Sequence, residues 1–147
     1  MVKRISLSGV ECPVARSLDV IGDWWSLLIV RDAFDGVRRF SAFQKNLGIA
    51  KGILAARLKE LVERGVLSVV PASDGTAYRE YLLTEKGRAL FPVIVALRQW
   101  GEDQLFARGE RHSTLVDVVK RKPVGRLELR SQDGRLLGYN DTEVRKR

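Results

Sequence analysis

The sequence predicts an α+β fold with four short helices, a two-stranded hairpin, a long helix and a small β appendage. Apolar residues recur at helical spacing through most of residues 12–64. Within that stretch, two amphipathic segments are separated only by a tight turn at Gly48, which is the pattern of a helix-turn-helix. Two β-like runs then flank the turn-forming residues 73–76. Together these observations predict a winged helix-turn-helix in which the hairpin is the wing.

The first two helices are indicated by the residues at which they begin. Residues 1–11 are expected to form an irregular or strand-like arm. Cys12-Pro13 then begins a helix, because proline is well tolerated at the first helical position, and Gly22 ends it. Asp23 is the expected N-cap of a helix over residues 24–34, WWSLLIVRDAF. That helix is apolar on most sides, so it should lie at the centre of the core.

The helix-turn-helix is predicted over residues 39–64, with helices at 39–47 and 51–64. The second helix should bury Leu54, Leu58 and Leu61, which recur at i, i+4 and i+7. The residues opposite that stripe should face outward, and they are Gly52, Ala55, Ala56, Lys59 and Glu63. Gly65 is expected to end the helix, and the wing follows with strands at 66–70 and 78–83.

Thr84 is the expected N-cap of a long helix from residue 85 to about 106, which Pro92 should bend. Its apolar residues cover more than one face, so it needs a second partner besides the domain core. A homodimer is the simplest answer, and a helix wrapped by the C-terminal tail is the alternative. The expected dimer contacts are Leu90, Ile94, Leu97, Trp100 and Leu105.

The last forty residues differ from the rest of the chain. Short β-like runs at 115–119, 126–130 and 135–139, with an Asp133-Gly134 turn signal, predict a β-rich extension. The expected division is therefore an arm over 1–11, a DNA-binding domain with its dimerisation helix over 12–107, and an extension over 108–147.

The positive charge is concentrated in two segments. The chain has a net charge of +8, and residues 37–64 and 108–147 each carry a net +5. A concentrated basic segment is typical of a nucleic-acid-binding protein, whereas a solubilising surface or an anionic-membrane contact is the alternative interpretation.

Other function classes find little support in the sequence. A single cysteine and a single histidine leave no cysteine cluster for zinc and few acid–base pairs. The sequence shows no nucleophile–base pair and no glycine-rich phosphate loop, so no enzyme activity, metal or cofactor is expected. The apolar runs are too short for a membrane span and no signal-peptide core is present, which predicts a cytoplasmic protein with no membrane partner.

In a winged helix-turn-helix the second helix, here about 51–64, enters the major groove of double-stranded DNA, and the wing, about 66–83, reaches the flanking backbone or minor groove. The helix residues expected to face DNA are Ala50, Lys51, Gly52, Ala55, Ala56 and Lys59. Phosphate contacts are expected from Arg38, Arg39, Ser41, Gln44 and Lys45. Arg57 either binds a phosphate or pairs internally with an acid. The wing candidates are Ser73, Thr76 and Arg79, whereas Asp74 would repel phosphates. A protein-interaction module with weak or no DNA binding is the competing interpretation.

Two features suggest an effector. Cys12 precedes a helix start, where the partial positive charge of the helix favours a thiolate, so it is a candidate redox sensor; a packing role is the alternative. With one cysteine, any disulfide must be intersubunit or mixed. Trp24, Trp25 and Trp100 either line a cavity for a small molecule or serve as core and dimer contacts.

The segments CPVARSLDVIGDWWSLLIVRD, RRFSAFQKNLGIAKGILAARLKELVERGVL and YREYLLTEKGRALFPVIVALRQWGE together resemble the HxlR-type branch of the MarR-like winged-helix regulators. The resemblance covers about residues 12–106. It implies a homodimeric bacterial transcription regulator, a repressor or an activator, that binds a partly palindromic operator. It also implies that some relatives sense oxidants or aldehydes through a cysteine that matches Cys12. Ala50 departs from the serine often found at this position, and the extension from about residue 113 is less typical of the family.

Overall fold

A computed structural model describes residues 5–146, so the first four residues of the predicted arm lie outside the described part. The chain divides into two compact units, residues 1–94 and 95–147, which we call the N-terminal and C-terminal units. The helices are α1 (Pro13–Ile21), α2 (Trp24–Phe34), α3 (Phe40–Leu47), α4 (Lys51–Glu63), α5 (Glu85–Arg88) and α6 (Phe91–Gln104). The strands are β1 (Leu67–Pro71) and β2 (Arg79–Leu83), and a 3₁₀ turn spans Tyr139–Asp141.

The predicted helix starts are confirmed. Cys12 is the N-cap of α1, with Pro13 at the first helical position. Asp23 caps α2 by accepting a hydrogen bond from the Ser26 backbone N–H at 3.1 Å. The arm residues 5–11 are irregular, and Leu7 N–H donates to Asp19 Oδ1 at 2.8 Å, which holds the arm against α1.

The core of the N-terminal unit lies between α2, α3, α4 and the start of the wing. Ile29 and Val30 of α2 are fully buried, as is Phe43 of α3. Leu54, Leu58 and Leu61 of α4 are buried, which confirms the predicted stripe. Burial of these side chains fixes the rotation of α4 about its axis, and thereby decides which of its residues face solvent.

The wing is an antiparallel hairpin in which Leu67 pairs with Leu83 and Pro71 with Arg79. Tyr81 N–H donates to the carbonyl of Arg38 at 2.7 Å, so the hairpin is joined to the segment before α3. After the hairpin, Thr84 caps α5 by accepting from Gly87 N–H at 3.0 Å. Gly87 must be a glycine, because a Cβ there would lie 2.2 Å from the carbonyl oxygen of Val66.

The predicted long C-terminal helix is present as α6, but the prediction that it begins at residue 85 and bends at Pro92 is wrong. The chain forms α5 and α6 instead, separated at Ala89-Leu90, and Pro92 stands in the first turn of α6. Proline is compatible with the first turn of a helix, where its missing N–H would have no partner, whereas inside a helix it removes a backbone hydrogen bond and its ring clashes with the carbonyl four residues earlier. Pro92 therefore begins a new helix rather than bending an old one.

In the C-terminal unit, the extension docks on α6. Arg98 Nη1 donates to the carbonyl of Ser113 at 3.0 Å, and the buried Gln99 side chain bonds the backbone of both Gly125 and Leu127. The three predicted β runs do not form strands in the described part of the extension, which has only two short hairpins, each held by one isolated bridge, Val116 to Pro123 and Arg130 to Leu136. The run predicted at 115–119 turns at residue 118 instead of continuing as a strand. Gly134, at φ +92°, forms the second turn as its Asp-Gly signal predicts.

Within the described residues, no helix combines the length and apolar character needed to cross a membrane.

Candidate nucleic-acid interface

The turn of the helix-turn-helix is built by Gly48 and the two residues that follow it. Gly48 ends α3 at φ +62°, a left-handed conformation that glycine adopts without strain, and its N–H donates to the carbonyl of Gln44 at 2.9 Å. Ile49 is buried and anchors the turn in the core. Ala50 is the N-cap of α4 and makes no side-chain capping bond, because a methyl group cannot accept a hydrogen bond.

The outward face of α4 agrees with the helical-wheel prediction. Its exposed residues include Lys51, Gly52, Ala55, Ala56 and Lys59. Between the two lysines the face is almost without side-chain bulk, so a flat or convex partner can approach the backbone closely. Ile53 is also 43% exposed, and its exposure is not among the sequence predictions. The available signal was its position beside the buried stripe, one residue before Leu54.

All four arginines of the basic segment 37–64 are paired with carboxylates. Arg38 Nη1 lies 3.6 Å from Glu80 Oε2, and Arg64 Nη2 lies 3.2 Å from Asp19 Oδ2. Arg39 forms an ion pair with Asp74 of the wing.

Arg57 pairs with acidic residues of the same chain, which is one of the two roles expected for it. Its Nε lies 3.2 Å from Asp23 Oδ1, an ion pair without an aligned hydrogen bond, and its Nη1 lies 3.9 Å from Glu60 Oε2. The arginines thus hold the helices and the wing together, and their charge is partly neutralised.

The three lysines of the same segment behave differently. Lys45, Lys51 and Lys59 are exposed, and none of them forms an ion pair within residues 5–146. Lys45 lies in the last turn of α3, and the other two lie on the outward face of α4. Ser41 is exposed and Gln44 half-buried on α3, beside Lys45. The unneutralised positive charge of the helix-turn-helix therefore belongs to its lysines.

The wing tip contains a network of hydrogen bonds between its own residues. Ser73 donates to Glu80 Oε1 from its backbone N–H at 2.7 Å and from its hydroxyl at 2.9 Å. These two bonds are the main reason that the pKa of Glu80 is lowered, and the charge of Arg38 adds to them. Ser73, one of the predicted wing contacts, thus already uses both of its donors inside the wing.

Asp74 turns the wing tip and is strongly stabilised as an anion. The hydroxyl of Thr76 donates to its Oδ1 at 2.8 Å and the Thr76 backbone N–H at 3.1 Å. These bonds and the Arg39 guanidinium lower the pKa of Asp74 to about 2. Arg39 also lies 5.2 Å from the ring centroid of Tyr78, in cation–π geometry. Of the predicted wing contacts, Arg79 is exposed and has no ion-pair partner among the described residues.

The residues predicted to form a dimer interface fall into two groups. Leu90 and Ile94 are half-buried against the core of their own N-terminal unit. In the C-terminal unit, Leu97, Trp100 and Leu105 are 49%, 59% and 67% exposed. The C-terminal tail packs on one side of α6 through Arg98 and Gln99, as expected if the tail wraps the helix. Leu97 and Trp100 of α6 stay exposed.

Of the effector candidates, Cys12, Trp24 and Trp100 are exposed, whereas Trp25 is half-buried against the core of the N-terminal unit. Cys12 is an exposed, free thiol at the N-cap of α1, and its side chain makes no capping bond. Trp24 is 71% exposed and meets Trp25 edge to face at 6.0 Å. A cavity of about 230 Å³ in the N-terminal unit is lined by other residues: Arg16, Ser17, Val20, Ile21, Val66, Lys86 and Leu90.

Comparison with known proteins assigns the family. The family model of HxlR-like helix-turn-helix proteins matches residues 20–108. The chain belongs to the HxlR-like helix-turn-helix family. An uncharacterized HTH-type transcriptional regulator of Mycobacterium tuberculosis, MT3179, is 50% identical over 92 residues, which are 63% of this chain and 58% of that protein. The chain thus matches less than two thirds of that relative's length. Its relatives are transcription regulators, a class without enzyme activity.

Solved structures support the same assignment. PA1607, described as a candidate transcription factor, is 58% identical with a TM-score of 0.91, over 95% of this HxlR-like chain and 98% of that one. The redox regulator HypR in its oxidized form is 33% identical with a TM-score of 0.59, over 65% of this chain and 100% of that one. The similarity to PA1607 therefore includes most of the C-terminal extension, whereas the similarity to HypR covers about two thirds of the chain.

Proposed function

We propose that this HxlR-like protein is a sequence-specific transcriptional regulator that binds double-stranded DNA as a homodimer. In this proposal α4 enters the major groove and the wing lies on the flanking backbone or minor groove. The observation that carries it is the outward face of α4, where Lys51 and Lys59, which form no ion pair within residues 5–146, border the small residues Gly52, Ala55 and Ala56.

The chemistry of that face suggests how it reads DNA. Lysines supply phosphate contacts, and alanine methyl groups can touch thymine methyl groups but offer no hydrogen-bond fork to a base. Ile53 adds a further apolar group. Specificity should therefore depend strongly on methyl contacts and on the shape of the groove, with few bidentate hydrogen bonds.

The test is binding of duplex DNA from the region flanking the protein's own gene. Lys51→Glu combined with Lys59→Glu should abolish binding while the oligomeric state and the circular dichroism spectrum stay unchanged. Single reversals supply a matched comparison: Lys59→Glu should weaken binding far more than Arg88→Glu, which reverses an exposed cation of α5. Equal binding by the double variant and the parent would instead favour a protein-interaction module.

The dimer is proposed to form through the uncovered apolar side chains of α6. Leu97 and Trp100 are about half exposed, and a large exposed apolar patch marks an interaction surface. Trp100→Asp should give a monomer or insoluble protein in light scattering, whereas Arg98→Gln would change only the docking of the tail. A well-folded Trp100→Asp dimer would contradict this interface.

A response to oxidants through Cys12 is a second part of the proposal. The exposed thiol at the start of α1 and the similarity to a protein described as a redox regulator support it. Two Cys12 thiols, or one and a low-molecular-weight thiol, would form a disulfide when an added oxidant such as diamide accepts their two hydrogens. Diamide should change DNA binding by the parent and leave Cys12→Ser unaffected; an equal response of both would exclude Cys12 as the sensor.

A further inference from the structure

The first hairpin of the C-terminal extension has a well-defined basic tip. The bridge between Val116 and Pro123 closes the hairpin, and Asp117 organises its turn. Asp117 accepts from Val119 N–H through Oδ1 at 2.8 Å and from Arg121 N–H through its carbonyl at 2.7 Å. We call residues 118–122 the basic tip; all five side chains are exposed, and the last three are Lys120, Arg121 and Lys122.

Both ends of this hairpin are anchored on α6. Arg98 binds Ser113 just before it, and Gln99 accepts from Leu127 N–H and donates to the carbonyl of Gly125 just after it. Gln99 is only 7% exposed, so its two bonds are partly shielded from water, whereas the Arg98 bonds are exposed. The basic tip is thus the distal end of a hairpin with a fixed base, which is a suitable arrangement for presenting charge.

Unlike Arg126, Arg130 and Arg135 of the same extension, the cations of the basic tip have no acidic partner among residues 5–146. Arg126 pairs with Asp103, Arg130 with Glu128, and Arg135 with Asp133. Among residues 5–146, no ion pair involves the three cations of the basic tip. Three adjacent exposed cations repel one another, and this repulsion is relieved by an external anion.

Arg121 occupies a backbone conformation that does not favour arginine. Its φ is +59°, and it is the one non-glycine residue with positive φ in the described part of the chain. Glycine or asparagine would adopt this conformation at lower cost. A strained residue at an exposed turn is evidence that its side chain is needed there for something other than folding.

We propose that the basic tip is a second DNA-contacting element, which binds phosphates of duplex DNA in addition to the contacts made by the helix-turn-helix. This inference rests on the proposed DNA-binding function. Arginine and lysine are the side chains that bind phosphate oxygens, and arginine does so with two parallel donors. Duplex DNA is favoured over a membrane surface because the apolar part of the basic tip is limited to Val118 and Val119.

The decisive variant is Arg121→Gly, because stability and binding should change in opposite directions. Glycine relieves the strain at φ +59°, so the melting temperature should stay equal or rise. The logarithm of the DNA-binding constant K falls linearly with the logarithm of the salt concentration, and we call the steepness of this fall the salt slope. The salt slope should decrease in magnitude by about 0.9 for each phosphate that is no longer bound, or by about 1.8 if one phosphate is lost at each subunit of a dimer. Arg135→Gln removes an arginine that is also exposed but is paired with Asp133, and its slope should match that of the parent.

Each outcome has a distinct meaning. A smaller slope for Arg121→Gly, and a smaller one still for Lys120→Gln/Arg121→Gly/Lys122→Gln, would support the basic tip as a DNA-binding element. Unchanged slopes in a parent that binds DNA would overturn this inference and leave the proposed function intact. A parent that binds no DNA would overturn both. If the variants keep the salt slope of the parent but lose a binding to phosphatidylserine vesicles that the parent shows, the basic tip would be assigned to membranes instead.

Discussion

Arg39 at the N-cap of α3 and Asp74 at the tip of the wing form an ion pair that joins the helix-turn-helix to its wing. The two residues are 35 positions apart in the sequence. The sequence alone predicts that Asp74 repels phosphates at the wing tip and that Arg39 binds them. In the structure each partly neutralises the charge of the other, so Asp74 limits the charge that Arg39 offers to an external anion.

Asp74→Asn should therefore strengthen DNA binding. The substitution removes a negative charge from the wing tip and releases Arg39, which adds about 0.9 to the salt slope for each additional phosphate that is bound. Fluorescence anisotropy at several salt concentrations measures this slope. Glu85→Gln, which removes an exposed carboxylate of α5, is the control for net charge. Weaker binding by Asp74→Asn would show that Asp74 positions the wing rather than limiting its charge.

The acid stability of the wing should depend on Thr76. The pKa of Asp74 is lowered to about 2, chiefly by the Thr76 hydroxyl and backbone N–H and then by Arg39. Because the unfolded carboxyl has a higher pKa, near 3.8, the ionised Asp74 contributes stability above about pH 4, and that contribution is lost as the pH falls toward 2.

Thr76→Val removes the hydroxyl and should raise the pKa of Asp74 toward 3.8, which reduces the loss of stability between pH 4 and 2. Carbon-13 NMR titration of the carboxyl group measures the pKa, and Asp74→Asn identifies its signal. An unchanged titration of Asp74 in Thr76→Val would contradict the proposed cause.

A capping side chain at the start of α4 should stabilise the fold. Ala50 has extended φ and ψ of −62° and 138° at the N-cap, which suit a capping serine, but its methyl group cannot accept a hydrogen bond. Ala50→Ser should raise the free energy of unfolding by about 1 kcal/mol. Urea denaturation followed by circular dichroism measures the change, with Ala50→Gly as a comparison that lacks the hydroxyl. A less stable Ala50→Ser protein would mean that the serine side chain cannot reach the first-turn N–H groups.

Arg57 and Lys59 lie two residues apart on α4 and should respond differently to the same loss of charge. Arg57→Gln breaks the pairs with Asp23 and Glu60, so it should lower the free energy of unfolding by up to about 1 kcal/mol and leave the salt slope nearly unchanged. Lys59→Gln should leave stability unchanged and reduce the salt slope. The reverse pattern would mean that Arg57 leaves Asp23 in order to bind a phosphate.

The sequence predicts the local features of this fold well and its charge pairing poorly. Periodicity and capping rules predict features that depend only on neighbouring residues, such as the Asp23 cap, the buried stripe of α4 and the turn at Gly48. The partners of Arg39 and Arg64 are 35 and 45 positions away, and only the folded chain brings them together. The break before α6 is not predictable in this way, because Pro92 has the same local pattern whether it bends a helix or begins one.

In the proposed complex, the lysines of the helix-turn-helix contact phosphates while its arginines hold the structure together. The most direct test is the salt dependence of duplex DNA binding by Lys45→Gln/Lys51→Gln/Lys59→Gln beside the parent. We predict that the slope becomes smaller by about 0.9 for each phosphate that is no longer bound, about 5 for a dimer in which all three lysines bind, with no change in stability. A slope equal to that of the parent would contradict the claim.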